Sequence, residues 1–475
     1  MTKRNDNNNE SKPKNNASFF KSQRLLLTAP ILSLIAVAAL DEADKKMLSS
    51  SFPALEQTLH LDVKMLGYFS LFSNLSYALS VPLWGYAVHV YGMSNIHNLL
   101  SLACMVWGLS TIGIAYSGAN YVFQALFRCV NGAALASILP LSQTLLVELV
   151  SFSMRGRAFG LMMVCEKIAG TLAAVSVVYF DRWQNPYYVL GIFSVLMSVI
   201  IPKNLKITSS NVTRDETDNP ANKMTMRQII QRIVKIPAFI CLVAQGIFGG
   251  TPWDMMSFLL LLFDWRGFTK EQIVSLQFSI GISGTIGSWL GGYLGDYFAM
   301  RYPSRGRIYV ALISVSLHVP TYGMLLYATE YKWAMLWYNL FYLTATWTPV
   351  AAIKPICAEL AQNTSERAQI VSMWILIEKT SNAVFGAPLV GYLTSGFIAE
   401  AAIEKEHDGT TSSLKAQSLA FSLLSLSALF WGICGVCWLI MAFTFDTPKA
   451  VAAKQDTGQS KQDEDDEEMA GLKLQ

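Results

Sequence analysis

Apolar runs long enough to cross a bilayer recur twelve times along the chain. They fall at 25–55, 65–88, 96–116, 121–148, 157–180 and 187–201, and after a polar stretch at 237–263, 272–295, 308–328, 333–353, 369–399 and 417–445. A hydrocarbon core about 30 Å thick takes about 20 helical residues to cross. Hydrocarbon offers the backbone no hydrogen-bond partners, so such runs must be helices. The pattern predicts an all-α membrane protein with twelve transmembrane helices in two six-helix bundles. A chain that is 52% hydrophobic and only 15% charged is not that of a soluble globular domain. A net charge of +3 is too small to suggest a nucleic-acid partner.

The predicted organisation is a cytosolic disordered tail (1–24), a first bundle (25–201), a cytosolic linker (202–236), a second bundle (237–445) and an acidic cytosolic tail (446–475). No small-residue cleavage site follows an early apolar segment, so the first helix is expected to direct insertion itself. Lysines and arginines crowd the N-terminal tail, the loops after spans 4 and 8, and the linker, while the alternate loops carry one or two each. That bias places both termini in the cytosol. Met226, Ile229, Ile230, Ile233 and Val234 form the stripe of a short helix lying on the membrane surface. Sequons at Asn16, Asn211 and Asn363 fall on the cytosolic side and Asn74 lies inside a span, so none is expected to carry glycan. Cys434 and Cys437 read as a structural pair, with no second pair to make a metal or redox site.

The first span contains Asp41, Glu42, Asp44, Lys45 and Lys46. Each charge at a helix centre costs about 2.5–3.5 kcal/mol. Asp41–Lys45 and Glu42–Lys46 have i,i+4 spacing with the acid first, so the helix can partly neutralise itself. The cluster is either a solvated helix end or a functional charged site. Arg128 in span 4 lies at a similar depth, where it requires a carboxylate, and the first-span acids are the candidates.

An internal repeat joins the halves. Arg155 and the Glu166–Lys167 pair recur 212 residues on as Arg367 and Glu378–Lys379, and Asp254 in span 7 stands near the same offset from Asp44. Both Glu-Lys pairs sit at mid-membrane depth. Neighbours on a helix point about 100° apart, so the members of a pair are expected not to bridge one another. One would face a cavity and the other a neighbouring helix; the alternative is a buried ion pair holding helices together. Trp253 and Asp254 follow Gly249, Gly250 and Pro252, which should break span 7 and free backbone to line a site. Gly281, Gly284, Gly287, Gly291, Gly292 and Gly295 give span 8 a face for close packing, and Gly386 with Pro388 predicts a bend in span 11. His318 reads as a packing residue. Five histidines without metal spacing and no Gly-x-Ser-x-Gly elbow argue against an enzyme, a metal site or a cofactor.

Gly292-Tyr-Leu-Gly-Asp296, with Arg301, Arg305 and Arg307, resembles the cytosolic signature loop of the major facilitator superfamily, with extra residues inserted. The first-half copy from Gly85 to Ser94 keeps two glycines and lacks the acid and the bases. Arg128-Cys-Val-Asn-Gly132 with Ala136 is similar to the fourth-helix motif of that family, which implies a proton-linked arginine. Leu40-Asp-Glu-Ala-Asp44-Lys45, with Pro53, resembles the first-helix stretch of the Spinster branch, with lysine where that branch has arginine. The resemblance implies a monomeric, alternating-access secondary transporter. In this reading Asp41, Asp44 and Arg128 couple protons, and Glu166, Lys167, Trp253, Asp254, Glu378 and Lys379 line the substrate cavity. Gly292, Asp296, Arg301, Arg305 and Arg307 form the gating loop. The branch implies a lysolipid- or sphingolipid-like cargo and a plasma, endolysosomal or vacuolar membrane. A carrier of a small polar solute (amino acid, sugar or organic anion) and a transport-inactive receptor or scaffold are the competing readings.

Overall fold

The computed structural model describes residues 28–91, 95–150, 155–180, 182–205, 237–303, 305–359, 364–404 and 412–444. The expected tails, the linker's surface helix and the sequons at Asn16, Asn211 and Asn363 lie outside the described residues. So do the side chains of His89, Arg155, Arg157 and Arg367.

Among the described residues the helices fall into segments consistent with the twelve expected spans. Seven are single helices: Val63–Tyr91, Ile96–Tyr116, Arg155–Tyr179, Gln184–Asn204, Lys270–Arg301, Gly306–Tyr327 and Ser412–Thr444 are spans 2, 3, 5, 6, 8, 9 and 12. Among the described residues, nine spans are long and apolar enough to cross a membrane by composition alone. The others are span 1 with its charges, span 2 and the interrupted span 10.

The interrupted spans show where the chain bends and why. Span 1 is Ala29–Ser50 followed by Phe52–Leu59, with Pro53 in the first turn of the second helix, where its missing N–H costs nothing. Span 4 breaks between Tyr121–Leu135 and Ile138–Leu149, with Pro140 again in a first turn. Span 10 runs Tyr331–Ala345, then a π turn at Pro349–Ile353, then Lys354–Glu359. Span 11 breaks at Gly386, between Thr364–Phe385 and Ala387–Glu404.

In span 7 the expected break is displaced. The helix Pro237–Met255 continues through Pro252, and the irregular turn falls at Met256–Phe258, before Leu259–Trp265. Thr251 Oγ1 bonds the carbonyl of Ile247 across the proline turn, and Ser257 Oγ takes the carbonyl of Asp254 at 2.7 Å. Side-chain hydroxyls thus satisfy backbone groups in and beside the disturbed turns.

Packing repeats between the halves. Spans 1, 2 and 3 pack on spans 5, 4 and 6, and spans 7, 8 and 9 pack on 11, 10 and 12. The halves meet where span 2 packs on span 11 and span 5 on span 8. This is the twofold arrangement that the internal repeat implies.

The glycine face of span 8 packs on span 10. Gly287, Gly291 and Gly295 lie against Leu343, Trp347 and Ala351, so closely that an added Cβ would collide at each. The same register continues outward as Ser275–Tyr331 and Ser283–Asn339 hydrogen bonds. A small residue every fourth position lets two backbones approach over the whole span.

One end of the interface between the halves is clasped by polar contacts. Glu56, on the second helix of span 1, accepts Trp265 Nε1 at 2.7 Å and Lys415 Nζ at 3.3 Å. Gln57 donates to Asp264 at 3.0 Å and Ser395 donates to Asp62 at 2.8 Å. Glu56 therefore ties the first half to spans 7 and 12 at once. Glu56→Ala should widen this end by several ångströms, read as the distance between spin labels at Thr58 and Glu271 in an otherwise cysteine-free protein; an unchanged distance distribution would show that packing alone holds the clasp.

Candidate functional site

Beneath the clasp, a chamber of about 420 Å³ lies between the halves. Spans 1, 2 and 4 contribute Glu42, Asp44, Lys45, Lys46, Asn74, Tyr77 and Arg128 to its lining. Spans 7, 8, 10 and 11 contribute Trp253, Asp254, Gln277, Tyr338, Tyr342, Lys379 and Asn382. One half thus supplies most of the charge and the other most of the aromatic wall. Trp253 packs on Phe341, Tyr342 and His318 with ring centroids 5.7–6.4 Å apart. His318 is buried behind that wall, its Nδ1 against the Ser314 carbonyl, which makes it the satisfied packing residue of the sequence reading.

The two first-span aspartates have different surroundings. Asp44 Oδ2 accepts Trp107 Nε1 at 2.7 Å, Thr111 Oγ1 at 3.0 Å and Asn131 Nδ2 at 3.2 Å. Among the described residues its Oδ1 takes no hydrogen bond, and it is left open to the chamber. Asp41 is not part of the lining. It is 5% exposed, its Oδ2 is held by Lys45 Nζ at 2.6 Å, and its Oδ1 is sealed in without a partner. The i,i+4 pairing anticipated for Asp41 and Lys45 is present. Lys45 itself reaches the chamber, with Nζ 5.1 Å from the centre of the Tyr77 ring.

Arg128 is 2% exposed and forms no salt bridge among the described residues. Its guanidinium lies 4.9 Å from the centre of the Phe69 ring and donates weakly to Gln124 Oε1 at 3.4 Å. Nε has no partner. The carboxylate pairing required by its depth is therefore not made in this conformation.

Asp254 lines the chamber with both oxygens engaged. Oδ1 accepts Asn74 Nδ2 at 2.7 Å, and Oδ2 accepts the amide of Ala387 at 2.9 Å. The carboxylate sits on the N-terminus of the second helix of span 11, where the exposed amides favour an anion. It also crosses to span 2 of the other half. A Cβ at position 386 would strike Asp254, so the bend anticipated at Gly386 is also what admits this carboxylate.

The four mid-membrane Glu and Lys residues separate. Lys379 lines the chamber. Glu378 is turned against Gly250 and Asn382, and its Oε1 is 3.8 Å from Lys379 Nζ. Adjacent residues thus do approach each other, contrary to the helical-wheel expectation, because two long side chains curl over one turn. Lys167 reaches Glu42 on span 1 at 3.6 Å, which supplies the neighbouring-helix partner. It replaces the expected Glu42–Lys46 pair, since Gly170 brings spans 1 and 5 close at Glu42 and Lys46. Glu166 and Lys167 are not among the lining residues, and neither is Glu378.

In the signature loop, Arg307 bridges Asp296 at 3.1 Å and the Ala351 carbonyl at 3.2 Å. Arg301 and Arg305 are exposed, and Gly292 packs towards Val350. The loop therefore links spans 8, 9 and 10 within the second half. Residues 92–94 of its first-half copy lie outside the described residues. Among the described residues, no cluster of His, Cys, Asp or Glu has metal-site geometry.

Sequence reasoning missed Trp107, Thr111, Asn131 and Asn74. Asn131 and Asn74 carried a signal, as lone amides inside apolar spans. Trp107 and Thr111 carried none, being ordinary residues of an apolar helix until Asp44 is placed beside them.

No curated protein sequence matches the chain. Its fold is similar to that of a bacterial homologue of the human lysosomal transporter Spinster in an inward-facing, unoccupied conformation. The TM-score is 0.75 at 15% identity, over 92% of this chain and 98% of that one. The nucleoside transporter NupG follows with a TM-score of 0.62 at 13% identity, over 85% and 98% of the two chains. A D-xylose–proton symporter gives 0.59 at 13% identity, over 84% and 96%. Residues 34–377 match the family described as Major Facilitator Superfamily, well over half of the sequence. With its twelve spans, its two six-helix bundles and its Spinster-like fold, the chain belongs to the Major Facilitator Superfamily of membrane transporters.

Proposed function

We propose that this multi-pass transporter is proton-coupled and moves a lysolipid- or sphingolipid-like amphiphile by alternating access. The observation that carries the proposal is that Asp44, with one oxygen open, lines the same chamber as Arg128, which forms no salt bridge among the described residues. Asp44 is the exchange site and Asp41 is not, since Lys45 holds one of its oxygens and the other is sealed from the chamber. Protonation of Asp44 removes the negative charge that offsets Arg128, so the proton leaves the arginine free for an acidic headgroup and each favours the binding of the other. The outer clasp, together with the basic bias of the opposite loops, supports a state facing the cytosol, with both termini there.

Cargo chemistry follows from which charges are spoken for. Each lining acid is engaged: Asp44 by three donors, Asp254 by two spans, Glu42 by Lys167. Arg128 and Lys46 have no salt bridge among the described residues. The uncommitted charge in the chamber is positive, which suits an acidic headgroup. A chamber of this volume is within the roughly 300–1,000 Å³ usual for small-molecule sites. An amphiphile would place its headgroup there and its tail along the aromatic wall of Trp253, Tyr338 and Tyr342. The volume and the charged lining also favour a second reading, an anionic polar solute without a tail.

In proteoliposomes with an imposed proton gradient, Asp44→Asn and Arg128→Ala should each abolish uptake while membrane insertion and the size-exclusion profile stay normal; wild-type rates in both would discard the coupling. For the cargo, Lys46→Gln should weaken apparent affinity for a lysophospholipid about tenfold, the scale of one charged hydrogen bond. Competition of that uptake by lysophospholipid, but not by glycerol phosphate, amino acids or sugars, would support the amphiphile, and the reverse pattern would assign the small solute.

A further inference from the structure

Asp44 is supported by neutral donors on only one of its two edges. Trp107 and Thr111 come from span 3 and Asn131 from span 4, and Asn131 Nδ2 also reaches Thr111 Oγ1 at 3.0 Å, so the donors form a connected cage. All are buried at 2% exposure or less, in a region where an unpaired polar group is costly. We infer that Trp107, Thr111 and Asn131 are positioning residues that direct the proton to Oδ1 of Asp44 and set the pH range over which it binds.

Stereochemistry supports the assignment. Oδ2 already faces three donors, which leaves no room for a hydrogen of its own. Oδ1 faces the chamber, where a hydronium ion can give up its proton and leave as water. Thr111 adds a responsive element. Its hydroxyl carries one hydrogen and has two acceptors at 3.0 Å, Asp44 Oδ2 and the Trp107 carbonyl. It serves the carboxylate while Asp44 is charged and can turn to the carbonyl once Asp44 is neutral. Hydrogen bonds given to a carboxylate favour its charged form over the neutral one.

Other charges act on the same carboxylate. Arg128 from span 4 favours the charged form, as do Lys45 and Lys46 on span 1, with Lys167 further off on span 5. Asp41, Glu42 and Glu166 oppose it. The Tyr187 hydroxyl from span 6 and Asp254 and Lys379 across the chamber complete the set. None of these donates to Oδ2, so the cage is a separate determinant that can be altered without changing any charge.

This inference rests on the proposed coupling, and the experiment separates the two. Proton-driven uptake is measured from pH 5 to 9 in proteoliposomes for wild type, Trp107→Phe, Thr111→Val, Thr111→Ser, Asn131→Leu and Asp44→Asn. Loss of a donor should move the midpoint of the uptake profile about one pH unit upward, the equivalent of one hydrogen bond to a charged group. Thr111→Ser, which keeps the hydroxyl, should retain the wild-type midpoint. For any variant too impaired to transport, infrared titration of the Asp44 carboxyl band in detergent, assigned by its loss in Asp44→Asn, reads the same shift without turnover. Unmoved midpoints in Trp107→Phe, Thr111→Val and Asn131→Leu, with Asp44→Asn inactive, overturn the cage and leave the coupling standing. A wild-type pH profile in Asp44→Asn overturns the coupling itself.

Discussion

A charge inside an apolar slab has to be given partners by the chain that carries it, because hydrocarbon supplies none. Much of this structure can be traced to that constraint. Glu42 brings Lys167 from span 5, Asp41 turns Lys45 back along its own helix, and Asp254 recruits Asn74 and a helix N-terminus. Each solution joins particular helices, so the buried charges also help decide which spans are neighbours. Arg128 is the exception, buried without a carboxylate, and it stands in the wall of the chamber.

The helix breaks serve the same end. A continuous helix offers no backbone donors at mid-membrane, whereas an interrupted one presents fresh amides or carbonyls there. Span 11 stops at Phe385 and begins again at Ala387, and the first amide of the new helix binds Asp254. Gly386 is needed for two reasons at once, the break and the space that the carboxylate fills. In span 7 the helix runs through Pro252, and the irregular turn moves on to Met256–Phe258.

The parts of this architecture that depend on local sequence were legible in advance. The number and order of spans, the duplicated halves, the glycine face of span 8 and the bend of span 11 all follow from hydropathy, spacing and residue size. What was not legible depends on which side chains the fold brings together. Lone amides at Asn74 and Asn131 announce that something polar is close by, but nothing about Trp107 or Thr111 marks them as donors to Asp44. A wheel projection fixes the direction of Cβ and not the reach of a long side chain, so it could not show Glu378 and Lys379 within 3.8 Å. Depth along the axis likewise put Asp41 and Asp44 on equal terms. Their rotation about the helix separates them, leaving one open to the chamber and the other sealed behind Lys45.

Packing within a half and contact between the halves differ in their share of polar groups. Spans 8 and 10 are locked through a register of small residues that tolerates no added methyl group, and loss of such packing costs a few kcal/mol per site. The clasp between the halves combines polar contacts at Glu56, Gln57 and Asp62, each worth about 1 kcal/mol net, with a buried apolar seam in which Phe52 packs on Phe258 and Gly67 and Gly391 lie against the backbone of the facing span. The polar contacts can be exchanged for water at little net loss, whereas separating the seam exposes its apolar area, so the seam carries most of the cost of parting the halves there. Asp254 lies between these regimes, since its oxygens bind partners in both halves. Span 2 reaches Asp254 through Asn74 and, at 3.4 Å, through Ser70, so parting the halves there means releasing both side chains, whereas the Ala387 amide belongs to the same half as the carboxylate and stays with it.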